Sequence, residues 1–408
     1  MKKISYILIG VILITLFTWL LFRGGDAPLI DTIRDGLPFG SGDGVTLPST
    51  DEGEDDNEVI PLFDEQGVPT SNLFRLSEAP VAGAGIFTRS NRAVVRYVDR
   101  ATGHIYEMVL PGATSTPLER VKITNTTMPK IYEAYFRPDG TAVLLRSLKS
   151  DTDIIENMSL TLTPPTSTST PLYTMAAAVL RGDIGSVAVG TNNALYYSLQ
   201  DSPSIVSSAF NGSGLKTILS SAFTDWRLAT GGNNLIVYTK ASTNVAGFAY
   251  ILNPANGALT KLLGPLNGLA AIPDASGTRI VYSYNERGKP KAFAKNVRSE
   301  ANLEILPVTL AEKCVWSIEL PNLLYCATPI NGISAGEPDN WYQGRTLYSD
   351  QFWVFDTDAE IAQILIEPKA SHGLDLDVVE PKLSPAEDYL IFMNKRDSSL
   401  WALKLESF

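Results

Sequence analysis

The chain has 408 residues, 44% of them hydrophobic, and a formal charge of −11. That is enough apolar material for a large core. The charge is concentrated: residues 24–66 hold twelve of the 44 acidic residues and one of the 33 basic ones, so the rest balances at 32 against 32 and lacks the basic surface that binding to phosphates requires, which argues against nucleic acid as a partner.

Met1-Lys2-Lys3 precede nineteen residues, ISYILIGVILITLFTWLLF, with no charge before Arg23. A helix of that length spans roughly the hydrocarbon thickness of a bilayer, whereas a cleaved signal has only about 7–15 apolar residues. Residues 1–23 are therefore predicted to be a cytoplasmic tip and an uncleaved transmembrane signal anchor. A cleaved signal is the alternative, for which FRGGDAP offers no small-x-small site. Two lysines before the span and an acidic stretch after it predict a single-pass protein of the cell membrane, with its N-terminus in the cytoplasm and the remainder extracytoplasmic.

Residues 24–70 are rich in Gly, Pro, Asp and Glu and show no sustained periodicity, as expected of a linker. The spacing of the run Asp51–Glu58 does not match an EF-hand calcium loop, with its alternating oxygen ligands, central Gly and terminal Glu, so it reads as a self-repelling spacer. A flexible chain of about 45 residues reaches on the order of 35–40 Å root-mean-square.

From residue 71 to 408 a blurred repeat runs to the end. Its clearest copies are YFRPDGTAVLLRS at 135–147, AIPDASGTRIVYSYNERGKPKAFAKNV at 271–297 and KLSPAEDYLIFMNKRDSSLWALKL at 382–405. Phe136, Trp226, Ile272 and Trp316 take equivalent positions at separations of 90, 46 and 44, and a weaker copy at 185–199 fills the double gap. A period of about 45 residues made of short strands is the size of a four-stranded propeller blade. The Pro-Asp-Gly-like turn, the apolar strand, the Asn-x-Arg-Asp-like turn and the closing Trp resemble the WD40-like (PD40-like) β-propeller repeat of TolB-type proteins. That resemblance implies an all-β fold and no particular activity.

Seven units start near residues 81, 131, 183, 223, 269, 312 and 380, and the last has room for only three strands before Phe408. In families with this fold an N-terminal strand often completes the final blade, and NLFRLSEA at 72–79 is the candidate here. An eight-bladed or open arrangement is the alternative. The Thr-, Ser- and Pro-rich segment 150–173 reads as a solvated excursion, and the basic stretch 285–298 as a solvated hairpin.

The only cysteines, Cys314 and Cys326, flank a Pro321-Asn322 turn, which places them near cross-strand register for a disulfide; two free thiols are the alternative. Both histidines, His104 and His372, read as loop residues, although Asp375 and Asp377 lie near the second. GISAG at 332–336 matches a nucleophile elbow around Ser334, but no amphipathic run follows it. No zinc spacing or phosphate-cradling loop is present, so neither a metal nor a cofactor is expected.

The sixth unit carries an insertion, residues 329–350, whose Trp341, Tyr342, Arg345 and Tyr348 are residue types enriched at binding hot spots, or alternatively pin the loop to its blade. The expected function is that of a non-catalytic binding or scaffold module for a protein or surface polymer of the cell envelope. A propeller-fold glycan hydrolase or lyase with channel-facing carboxylates is the alternative.

Overall fold

A computed structural model describes residues 62–112, 116–149, 152, 154–166 and 170–405. The expected anchor and nearly all of the expected linker fall outside the described residues; within them, no helix is long and apolar enough to cross a membrane.

The period of the repeat becomes seven antiparallel blades among the described residues. Blade 1 is Val81–Arg89, Arg92–Asp99, Ile105–Val109 and Val121–Lys122, and blade 2 is Ile131–Phe136, Ala142–Leu148, Ile155–Thr163 and Thr174–Val179. Blade 3 follows as Ile184–Val189, Leu195–Leu199, Ser204–Ser208 and Lys216–Ser220. Blades 4 and 5 share one long strand, Leu259–Pro273, whose first part pairs with Ala246–Leu252 as the outer strand of blade 4 and whose last part pairs with Arg279–Glu286 as the inner strand of blade 5. Asn267 is the switch, opposite Ala246 on one side and Asn285 on the other. Blade 6 is Cys314–Trp316, Leu323–Pro329, Asp350–Asp356 and Ile361–Ile366.

Blade 7 has Val378–Leu383, Tyr389–Asn394 and Leu400–Lys404 from the C-terminal end, and its outer strand is Leu73–Ser77. Leu73 lies opposite Leu403, Phe74 opposite Ala402 and Arg75 opposite Trp401, as the unfinished last unit predicted. Alternation along this strand stitches two interfaces: Leu73 packs into the cluster between blades 6 and 7, whereas Phe74 and Leu76 pack into the one between blades 7 and 1. Just before it, Phe63 meets Phe74 edge-on with ring centroids 6.3 Å apart, so the apolar end of the expected linker is packed on the closing blade.

Position in the blade explains the sequence pattern. Second strands are covered on both faces by neighbouring blades, and Leu195–Leu199 and Leu323–Pro329 are buried throughout. They read as continuous apolar runs, whereas the outermost Ile361–Ile366 is half exposed. The Pro-Asp-Gly turn joins first to second strands: Asp139 Oδ1 accepts the Thr141 amide at 2.9 Å, and Gly140 supplies a φ of +72°. One expectation fails. Residues 155–163 are not a solvated excursion but the third strand of blade 2, with Met158, Leu160 and Leu162 facing inward along a Ser/Thr-rich segment. The basic stretch 285–298 does form the expected hairpin, between Arg279–Glu286 and Lys289–Asn296.

Inner strands approach closely. A Cβ added at Gly83 in blade 1 would stand 2.2 Å from the Ala134 carbonyl oxygen of blade 2, a backbone atom held by its own ladder. Gly83→Ala is therefore expected to cost about 1–3 kcal/mol or more through overpacking, visible as a lower melting temperature. An unchanged melting temperature would show that the two blades are further apart.

Candidate functional site

Alternating strand direction puts two sets of connections on one face of the ring: those between second and third strands, and those from each fourth strand to the next first strand. The 329–350 insertion is one of these, between Leu323–Pro329 and Asp350–Asp356. It does not stay on its own blade. At blade 4, Ser242 Oγ and the Thr243 amide donate to Asp339 Oδ2 at 3.0 and 3.1 Å, and Thr243 Oγ1 donates to the Gly336 carbonyl at 2.9 Å. At blade 5, the Asn285 side-chain amide donates to the Glu337 carbonyl. At blade 7, Arg396 donates twice to the Tyr348 carbonyl, at 3.1 and 2.9 Å. The insertion thus spans four consecutive blades, with a single helical turn, Asp339–Tyr342, in its middle.

A fully buried charge cluster fastens it from beneath. Lys313 Nζ lies 2.6 Å from both Asp350 Oδ2 and Asp377 Oδ1, and none of the three side chains is exposed. The remaining acceptor capacity is partly filled by the insertion and by strand backbone: Trp341 Nε1 donates to both Asp377 oxygens at 3.0 and 3.1 Å, and the Tyr348 amide donates to Oδ2 at 3.1 Å. The Val378 amide donates to Asp350 Oδ2 at 2.8 Å. The ammonium also lies 5.0 Å from the Trp341 ring centroid and 5.2 Å from that of Tyr348. Burial pushes the Asp350 carboxyl above the usual range, against the opposing pull of Lys313 and the Val378 amide.

Below the insertion lies the central channel, a cavity of about 550 Å³. Tyr135, Val189, Tyr238, Ile272, Glu312 and Glu380 line it from six different blades, and Trp341 of the insertion lines it too. Glu312 accepts from the Tyr342 hydroxyl at 2.5 Å. Burial raises its carboxyl pKa, a rise opposed by that hydrogen bond and by Arg227, Lys395 and Lys313. Tyr135 donates to Glu133 Oε2 at 3.0 Å, and burial pushes its hydroxyl well up. A second hollow of about 510 Å³ lies between the insertion and blade 4, with Phe223, Asp225, Lys240 and Tyr342 in its walls. Tyr342 therefore has its ring at the outer groove and its hydroxyl on a channel carboxyl.

Of the four nominated residues, Trp341 and Tyr348 are buried, 4% and 7% exposed, and serve the charge cluster. Tyr342 is half-buried between the two hollows, and Arg345 is exposed. Cys314 and Cys326 are direct cross-strand partners with their sulfurs bonded, which fixes the inner strand that Lys313 enters. Ser334 sits in an irregular loop, its hydroxyl 3.4 Å from Glu337 Oε1, without the strand-turn-helix setting of a nucleophile. His372 is not solvated: it ends a short helix, is 7% exposed and meets Ser71 Oγ at 3.0 Å, while Asp377 is taken up by Lys313. Among the described residues no group of three or more His, Cys, Asp or Glu could hold a metal. Sequence reasoning missed Lys313, Asp350 and Glu312; the available signal was a charged pair, Glu312-Lys313, leading directly into the short apolar inner strand of blade 6.

Exposed large apolar side chains are unevenly placed. Ten of the fifteen among the described residues lie on the insertion-bearing face. Five flank the insertion or belong to it: Phe223, Val245, Leu306, Ile330 and Leu347.

No protein-family model and no curated protein sequence matches the chain. Solved structures do, and they share the β-propeller fold. The structure described as YCF48 bound to D1 peptide is 10% identical with a TM-score of 0.51, over 85% of this chain and all of the other. TolB from Acinetobacter baumannii is 14% identical with a TM-score of 0.42, over 67% of this chain and 63% of TolB, so the chain spans less than two thirds of that protein. Streptogramin B lyase is 12% identical with a TM-score of 0.47, over 82% of this chain and 97% of the other. The likeness shows the fold, which binding modules and enzymes share.

Proposed function

We propose that the chain is a membrane-anchored, extracytoplasmic propeller that binds a protein or surface polymer of the cell envelope through the insertion-bearing face, without catalysing a reaction on it. The observation that carries this reading is that ten of the fifteen exposed large apolar side chains among the described residues lie on this face, five of them on or beside a loop that buried charges fasten from below. Apolar anchors on a fixed scaffold are what a binding surface needs, because little ordering entropy is lost on docking. The acidic tether lets the ring work off the bilayer surface.

The triple substitution Phe223→Ser, Val245→Ser and Leu347→Ser alters exposed side chains and leaves the Lys313 cluster intact. In the full chain it is expected to keep the melting temperature within a few degrees and to lose most partner capture in intact cells. Undiminished capture would remove this face from consideration. The second reading, a channel-facing carboxylate enzyme, is favoured by one observation: Glu312 and Glu380 come from different blades to line the same cavity.

A further inference from the structure

The channel holds a second recognition element, distinct from the apolar face. We infer that it is a pocket for an organic cation, an ammonium or guanidinium group at the end of a slim chain, with Glu312 as its counter-ion. The cavity of about 550 Å³ is large enough for a basic side chain and is lined mainly by apolar and aromatic residues with a few convergent polar groups, the usual make-up of a ligand site.

Its charged groups are unequal. Lys382 is committed, donating to the Ala84 carbonyl at 2.7 Å and lying 3.5 Å from Glu380. Lys313 is consumed by Asp350 and Asp377, and Lys395 lies over the Trp341 ring at 5.2 Å. Glu312 forms no ion pair among the described residues; its hydrogen bond is the neutral one from Tyr342, and Arg227, Lys395 and Lys313 act on it only at a distance. A largely buried carboxylate with no cation in contact is a costly arrangement that an incoming cation relieves. Solvent reaches the pocket past Glu380 and Lys382, whose side chains are 44% and 38% exposed.

The cation can arrive as a small free amine or on a partner's side chain. Calorimetric titration of the detergent-solubilised full chain would use agmatine for the first source and N-acetyl-Gly-Arg-Gly-amide for the second, with the citrulline peptide as a neutral isostere. Both cationic probes are expected to bind and the isostere not to. Glu312→Gln, which retains the acceptor for Tyr342, is expected to weaken binding at least tenfold, and a near-ultraviolet spectrum like that of the parent would show the fold is kept. Binding is expected to fall as pH is lowered through the raised Glu312 pKa, because the protonated carboxyl no longer attracts a cation; repeating the titration in buffers of different ionisation enthalpy reads the accompanying proton release. A peptide much tighter than agmatine assigns the cation to a partner chain, and equal affinities assign it to a small molecule. No binding at millimolar probe, equal binding of the citrulline peptide, or an unaffected Glu312→Gln variant overturns the inference. Each of these outcomes is separate from capture at the apolar face.

Discussion

Lys313→Met is expected to destabilise the propeller by about 3–5 kcal/mol, the cost of leaving buried carboxylates without their cation. The lysine is wholly buried and is the cation shared by Asp350 and Asp377, so water cannot substitute for it. The damage should reach beyond blade 6, because Asp377 also holds Trp341 and the Tyr348 amide. Chemical denaturation measures the first effect, and limited proteolysis within 329–350 reads the second. Adding Asp350→Asn and Asp377→Asn to the variant removes the stranded charge while keeping acceptors for the indole, and is expected to restore much of the loss. A triple variant as unstable as the single one would show that packing volume, not charge, is what Lys313 supplies.

Deletion of residues 72–79 is the second large effect. It removes Leu73, Phe74 and Leu76, all buried, from the joints on both sides of blade 7. At about 1.5–3 kcal/mol for each buried apolar side chain, the loss is on the order of 5 kcal/mol or more. It also leaves Leu400–Lys404 as an unpaired edge, so association should increase. The milder Phe74→Ala, which loses the edge-on contact with Tyr389 at 6.1 Å, is expected to cost about 3–5 kcal/mol. Equal melting temperatures for the parent and both variants would contradict ring closure by this strand.

Closure was legible because a strand deficit can be counted in one dimension. The Pro-Asp-Gly turns and the continuous apolar second strands were legible for a similar reason: each reflects a local conformation or a uniform environment. The strand shared by blades 4 and 5 was not, since its LTKLLGPLNGLAAIP run changes partner in mid-course at Asn267 within one continuous strand. The third strand of blade 2 was hidden by Ser and Thr alternating with its apolar side chains, although Ser159 is itself buried. At the candidate site, the length of the insertion marked it as unusual, but its course depends on bonds such as Ser242 to Asp339, 97 residues apart. Spacing along a chain carries no signal for such a contact. For the same reason Trp341 and Tyr348 could be read from sequence either as binding groups or as packing groups, and only Asp377, from the next blade, separates the two.

The insertion cannot simply be excised to test function, because removing Trp341 would uncover the Lys313 cluster as well as the face. A photo-crosslinking residue placed singly at exposed positions avoids that. In intact cells carrying the full chain, substitution at Leu347, Val245 or Phe223 on the insertion-bearing face is predicted to give one shared crosslinked partner, while Leu259 and Ile361 on the opposite face give none. Crosslinks from the opposite face alone, or indistinguishable yields from both, would contradict the account.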